Sequence, residues 1–309
     1  MRAEAAWEAF CARRGLLWGL ALYPLSVVYG LISRLLRLGA PEGVEGLRVI
    51  SVGNLGMGGA GKSPLVIAIA KMLKSKIAVI TRGYGADEAA MLAKALPGCE
   101  IIVDADRLRG ARLALKRGCQ TALLDDGFQR RHELARGLDI LVWDWQRAEV
   151  EAHCLPAGRL REPLEAAAEA DAVVVTHAPE GWNAEALRAA LPLAYQGLRV
   201  FRGDHAPLGL LHLKGARKPL AWLRGKRVTA MSGIGRPEAF EESLRRLGAE
   251  VIPLPFGDHH AYQASDLPQG ALVVTTAKDA VKLGLADAWV LEMRLQVSPQ
   301  REFEAMLRS

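Results

Sequence analysis

The sequence predicts an α/β protein built on a mostly parallel sheet, with a second, smaller α/β lobe and an N-terminal membrane-associating helical segment. Three observations predict it. From Leu47 onward, short and almost continuously apolar runs alternate with helical segments, the pattern of parallel strands buried on both faces. A cluster of Gly, Pro and basic residues over Gly197–Pro219 interrupts the alternation, which then resumes. Ahead of Leu47 lies an uncharged apolar stretch of different character. At roughly 100–200 residues per domain, 309 residues accommodate two lobes. The expected division is a membrane-associating segment over 1–40, a first lobe over 41–198, and a C-terminal α/β domain with its linker over 199–309. Half of the residues are apolar and 24% are charged, which excludes disorder as the dominant state.

Residues 15–33 (GLLWGLALYPLSVVYGLIS) carry no charge between Arg14 and Arg34. No A-x-A-like site follows before Arg34, which argues against a cleaved signal peptide. The stretch barely reaches spanning length, and Pro24 sits inside it. A helix pair lying in the membrane interface fits as well, with Trp7, Phe10, Trp18, Tyr23 and Tyr29 at headgroup level and arginines facing anionic lipid. Spanning and lying both stay open. The net charge is 40 − 34 = +6, and residues 1–40 hold five Arg against two Glu, so the other 269 residues share +3. Such a surplus is no nucleic-acid stripe, and no nucleic-acid partner is expected. Cys11, Cys99, Cys119 and Cys154 form no CxxC pair; reduced thiols are expected, not a disulfide framework or zinc site.

In the first lobe, Leu47–Gly53, Lys76–Thr81, Glu100–Asp104, Gln120–Asp125, Leu138–Asp144 and Ala172–Thr176 read as strands. Lys62–Lys74, Glu88–Leu96 and Arg107–Arg117 read as helices. Beyond the break come strands Arg227–Met231, Val251–Leu254, Ala271–Thr275 and Ala288–Met293, helices Pro237–Leu247 and Ala277–Leu283, and a C-terminal helix.

Between the first strand and helix stands Gly56-Met57-Gly58-Gly59-Ala60-Gly61-Lys62-Ser63, a match to G-x-x-x-x-G-K-[ST]. Glycines let successive backbone N–H groups converge on phosphate oxygens, and the helix N-terminus adds partial positive charge. Lys62 is expected to reach the β/γ-phosphates and Ser63 to offer its hydroxyl to Mg²⁺. Pro64 is tolerated because first-turn N–H groups lack intrahelical partners. The second half of such a site is an acidic residue ending a neighbouring strand, and Asp125-Asp126 after Thr121–Leu124 supplies it. The lobe over 41–198 is thus a P-loop nucleotide-binding domain that takes a nucleoside triphosphate and Mg²⁺.

Inspection narrows the class. The guanine-reading Asn-Lys-x-Asp signature is missing, since neither Asn54 nor Asn183 precedes Lys. Partition ATPases place a second lysine where Met57 stands, and simple nucleotide kinases lack a membrane segment. An ATP-dependent enzyme with a substrate at a membrane remains. The motifs VGNLGMGGAGKSP (52–64), TRGY (81–84), DE (87–88), LLDDGFQ (123–129), LPAGRLREP (155–163), FGDHHAY (256–262) and TTAKDAVKL (275–283) occur in that order. Together they resemble the tetraacyldisaccharide 4′-kinases, the lipid A 4′-kinases of Gram-negative bacteria. The resemblance runs from about Ser51 to Leu283.

The resemblance implies transfer of the γ-phosphoryl group of ATP to the 4′-hydroxyl of a lipid A disaccharide 1-phosphate, at the cytoplasmic face of the bacterial inner membrane, by a monomer. It implies a catalytic dyad of Asp87 and His259, with Lys62 acting on the phosphates. A carboxylate that accepts the proton of a sugar hydroxyl makes chemical sense; the competing reading of Asp87 is a helix N-cap. Gln129 and Glu162 follow the family as nucleotide- or Mg²⁺-proximal groups, and Arg82, Arg107 and Arg161 suit phosphate clamping. Ser63, Asp125 and Asp126 form the metal side. The alternative is a membrane-associated P-loop ATPase that acts as a switch. Three positions depart from the family pattern: only Gly85 and Ala86 separate Tyr84 from Asp87, Ala89 replaces a Pro, and Arg130 replaces a His, with His132 two residues on.

Overall fold

A computed structural model describes residues 16–35, 38–57, 61–73, 75–83, 86–147, 153–235, 237–257, 260–284 and 286–309; the side chains of 16–21, 86, 87, 147 and 264 are outside the description. The chain divides into two compact units. One takes the chain up to Gly83, Ala95–Asp204 and Leu295–Ser309; the other takes the stretch ending at Lys94 and His205–Arg294. The expected cut at 198/199 differs from this division at both ends, because the C-terminal residues pack with the first unit and the segment before Lys94 with the second.

In the first unit, strands β1 (Arg48–Gly53), β2 (Ile77–Thr81), β3 (Glu100–Val103), β4 (Thr121–Asp125), β5 (Leu138–Asp144) and β6 (Ala172–Thr176) are joined by the first residues of β7 (Arg199–His212). Their order is β7-β6-β5-β1-β4-β2-β3, every pairing parallel. The strands β2, β4, β5 and β6 are buried at every residue, which accounts for their unbroken apolar runs. One face packs Val49, Ala78, Ile80, Ala122 and Leu124 on Ala111 and Ala114. Those alanines belong to the helix Arg107–Lys116. The other face gathers Leu141, Trp143, Val173 and Val175 with Leu187 and Tyr195.

Helix α1 (Leu16–Leu35) holds Pro24 within it. Ser26 and Gly30 are buried while Leu25, Val28, Leu31, Ile32 and Leu35 are half or more exposed. Its small residues rest on the segment 153–163. The Ala157 N–H donates to Ser26 Oγ at 2.8 Å, and Ser33 Oγ donates to the Arg161 carbonyl at 3.4 Å. A β-carbon at Gly30 would stand 3.2 Å from Pro163. No helix among the described residues is long and apolar enough to cross a membrane. The first member of the expected helix pair lies outside the described residues.

In the second unit, β9 (Arg227–Ser232), β10 (Glu250–Pro255), β11 (Val273–Thr275) and the start of β12 (Ala288–Ser298) form a parallel sheet in the order β10-β9-β11-β12. The later part of β7 pairs antiparallel with β8 (Arg217–Lys218). The stretch read as a break is therefore largely strand. Gly203 is no breaker there: a β-carbon on it would stand 2.8 Å from Val174, so glycine permits a close strand approach.

Candidate active site

The first turn of the sequence motif does what its composition requires. β1 leads into the loop, and α2 (Lys62–Met72) starts after Gly61, whose φ of 90° lies in the left-handed region that glycine enters without strain. Leu65, Val66 and Ile69 bury one side of α2 and leave Lys62 and Ser63 at its opening turn. Gly58, Gly59 and Ala60 lie outside the described residues, while Gly56 and Gly61 flank them.

Asn54, just past β1 and 2% exposed, organises the loop. Its Oδ1 accepts from Lys62 Nζ and from Arg161, each at 2.8 Å. Its side-chain amide donates to the Gly56 carbonyl at 2.8 Å. Gln129 Nε2 donates to the Asn54 carbonyl at 2.8 Å. Gln129 thus braces the turn on which the loop begins. Sequence reasoning missed Asn54, because the phosphate-loop pattern makes no demand on that position; its only signal is its place inside 52–64.

The acid pair divides its work. Asp125, buried at the end of β4, accepts from Ser63 Oγ at 3.1 Å. Asp126, at φ 54°, turns to the cations: Arg161 reaches both its oxygens at 2.8 Å, and Lys62 Nζ lies 3.5 Å away. Burial opposes ionisation of Asp126, but Arg161 and Lys62 overcome it and hold the carboxyl far below the usual carboxylate range.

Arg107, 3% exposed, begins α4 (Arg107–Lys116). Its guanidinium donates to the carbonyls of Ile80 at 2.8 Å, Asp125 at 2.7 Å and Asp126 at 3.3 Å. Burial, with help from Arg82, lowers its pKa to about 10. The three carbonyls make Arg107 a brace for the backbone beneath the acid pair, where sequence reasoning expected a phosphate clamp. Arg161 joins the loop directly. The Arg161 N–H donates to the Leu55 carbonyl at 2.8 Å and the Met57 N–H to the Arg159 carbonyl at 2.9 Å. Glu162 is buried beside it, 3% exposed.

Of the positions that depart from the family pattern, Arg130 and His132 have defined neighbours, and Tyr84 and Gly85 lie outside the described residues. Arg130 is tied to Glu133 at 3.0 Å, and His132 packs under Gly39, whose β-carbon would stand 3.1 Å from it. Asp87 falls in α3 (Ala86–Ala95). Since that helix opens at Ala86, Asp87 sits inside its first turn and not at the N-cap. His259 lies outside the described residues. The donors around Ser63 and Asp125 are all oxygen, and no group of three or more His, Cys, Asp or Glu fit for a metal occurs among the described residues. That set fits Mg²⁺, which keeps waters and substrate phosphates as most of its ligands.

The sequence model of tetraacyldisaccharide-1-P 4′-kinase (LpxK) matches residues 18–87 and 86–309. The chain belongs to the tetraacyldisaccharide 4′-kinase family. The kinase named for Anaeromyxobacter dehalogenans strain 2CP-C is 38% identical across 96% of this chain and 83% of its own length. That of Syntrophus aciditrophicus is 36% identical across 84% and 83%. The crystal structure of LpxK from Aquifex aeolicus in complex with ATP superposes with a TM-score of 0.80 at 28% identity, covering 94% of this chain and 98% of that one. The resemblance carried by the ordered motifs is that of the family.

Proposed function

We propose that this 4′-kinase transfers the γ-phosphoryl group of ATP to the 4′-hydroxyl of a lipid A disaccharide 1-phosphate. We place it as a monomer on the cytoplasmic face of the bacterial inner membrane. The observation that carries the reading is the pairing at the helix end of the phosphate-loop motif, with Lys62 and Ser63 each aimed at one member of the acid pair, in a chain of this family.

Ser63 and Asp125 are the residues that would hold Mg²⁺, with Asp126 beside them. When bound, Mg²⁺ neutralises charge on the β- and γ-phosphates. Lys62 brings a fixed positive charge to the transferring group, its direction set by Asn54 and Asp126. Arg161 shares Asp126 with Lys62. In transfer, the 4′-oxygen forms a bond to the γ-phosphorus, the bond to the bridging oxygen of ADP breaks, and the hydroxyl proton passes to Asp87. His259 supports that carboxylate. The exposed apolar residues of α1 suit lipid contact.

Purified protein incubated with radiolabelled ATP and lipid A disaccharide 1-phosphate in detergent tests this directly. Label should move to the lipid. ATP consumed without labelled lipid would instead favour the membrane-associated ATPase switch. Lys62→Ala should stop both processes, and Asp87→Ala should lower kcat far more than ATP affinity. Unchanged turnover in Asp87→Ala would remove the base assignment.

A further inference from the structure

The second unit gathers the charge of the protein into one stretch. Residues 214–227 (KGARKPLAWLRGKR) contain six Lys and Arg and no Asp or Glu. With these 14 residues set aside, 40 − 6 = 34 Lys and Arg remain against 34 Asp and Glu. The +6 of the whole chain therefore equals the charge of this stretch. It runs from the turn after β7 through β8, over the short helical turn Leu220–Leu223, to the first residue of β9. Leu223 has no exposed surface and packs with Leu210, Val228 and Leu244, which pins the stretch to the core.

Trp222 organises the cations. Its ring lies 4.9 Å from that of Trp289, which in turn lies 4.8 Å from the His212 ring. Lys226 Nζ stands 4.9 Å and Lys218 Nζ 6.0 Å from the Trp222 centroid. The ring attracts each ammonium group, while the two like charges repel one another. Little nearby offsets them. Arg217 pairs with Glu292 at 2.7 Å, and Lys214 lies 3.9 Å from Asp287, which also meets His212. Glu241 and Glu242 are already engaged by Arg245 and Arg246, and Glu250 neighbours Arg227 in the β10–β9 register. Among the described residues, no ion pair engages Lys218, Arg224, Lys226 or Arg227. All but the partly buried Lys226 are exposed.

We infer that residues 214–227 are a second membrane contact, one that docks the second unit on anionic phospholipid headgroups. The inference rests on the inner-membrane placement proposed above and adds a site to it. Like charges gathered on one surface weaken the compact state through self-repulsion, and an anionic bilayer supplies the missing counter-charge. Each Lys or Arg near such a surface strengthens attachment about fivefold. Long lysine stems beside a tryptophan also suit the headgroup level. Single-stranded nucleic acid is the competing polyanion, and it binds by stacking bases on open aromatic faces. Trp222 instead has Trp289 and two ammonium groups against it. The contact differs in kind from α1, which offers lipid exposed apolar side chains. Helix α1 suits lipid of any charge; the basic stretch suits anionic lipid.

The test sediments full-length protein with vesicles of phosphatidylcholine, alone or mixed with phosphatidylglycerol. Lys218→Gln/Arg224→Gln/Lys226→Gln should weaken binding to the phosphatidylglycerol vesicles by roughly 100-fold at low salt. The deficit should vanish near 1 M salt, where screening acts within about 3 Å. Binding to phosphatidylcholine alone, the ATP KM in detergent and the melting temperature should match the wild type. Lys218→Gln/Arg227→Gln, at two exposed positions, should lose roughly 25-fold and decides the matter if the triple variant fails to fold. Lys116→Gln/Arg199→Gln/Arg301→Gln removes the same charge from exposed positions elsewhere and should keep the preference for phosphatidylglycerol. An equal loss in that control would make net charge responsible and overturn the inference. A wild type without preference for phosphatidylglycerol overturns it too. Unchanged binding in the triple variant, while Val28→Glu/Ile32→Glu loses binding, removes this contact alone. A wild type that binds neither vesicle removes the membrane placement and the contact together. Binding of single-stranded DNA that the triple variant loses, with its vesicle binding intact, reassigns the stretch to nucleic acid.

Discussion

Helix α1 and the phosphate loop meet the same segment, residues 153–163, and grip it by opposite means. The helix uses small residues: the Ser26 and Ser33 hydroxyls and the bare backbone at Gly30, with its large apolar side chains left outside. The phosphate loop uses charge and buried polar atoms, through Arg161 on Asp126 and Asn54. A contact built from two hydroxyls, a glycine and the edge-on pair of Tyr23 with His153 yields modest stabilisation, at about 1 kcal/mol per hydrogen bond. Charged hydrogen bonds in a half-buried site are stronger and more sharply directed. The difference teaches that the phosphate end is built for fixed geometry, whereas the helix keeps its apolar surface available.

Breaking the phosphate end should have the largest effect. Asp125→Asn should reduce transfer by roughly 10²-fold, while sedimentation with phospholipid vesicles stays as in the wild type. Loss of vesicle binding in that variant would show the two regions to be one functional unit. Arg107→Lys tests the brace under the acid pair. A lysine cannot serve three separated carbonyls as a guanidinium does, so the urea midpoint should fall by the equivalent of about 2 kcal/mol at unchanged m-value. A wild-type midpoint would mean the brace carries no stability.

On the helix side, Val28 and Ile32 are 52% and 50% exposed and one turn apart on a common face. Val28→Glu/Ile32→Glu should weaken binding to vesicles by roughly tenfold or more and leave ATP affinity in detergent unchanged. The smallest effect at neutral pH concerns Asp126. Its folded-state pKa is depressed, so its contribution is complete above the unfolded carboxylate value of about 3.9 and is lost as pH falls from there toward the folded value. The wild-type urea midpoint should therefore drop on acidification below about pH 4, and Asp126→Asn should flatten that limb. An equal acid slope in the variant would assign it to other carboxylates.

Much of the first unit was legible because its strands are buried on both faces. Leu138–Asp144 and Ala172–Thr176 fall where their apolar runs place them, and the phosphate loop lies between β1 and α2. What escaped was tertiary. Gly203 and Pro207 read as punctuation, yet β7 runs through both, because Gly203 admits Val174. The predicted helix Ala277–Leu283 shortens to Ala277–Ala280, where Asp279 accepts from both the Thr276 hydroxyl and the Gly233 N–H. At the site, the acid pair was legible as a pair but its division was not. Asp125 and Asp126 are chemically equal in sequence; the positive φ of Asp126 separates them. Arg107 and Arg161 likewise looked alike until one was found beneath carbonyls and the other on a carboxylate.

The segment 153–163 has a practical consequence for genetics. Its backbone serves the helix at Ala157 and Arg161 and serves the phosphate loop at Arg159 and Leu160. A lesion there disturbs the footing of α1 and of the phosphate loop at once, so a loss of growth mapped to it names neither. Suppressors should then arise in α1 as readily as around Asn54, a genetic signature that no substitution confined to either region would share.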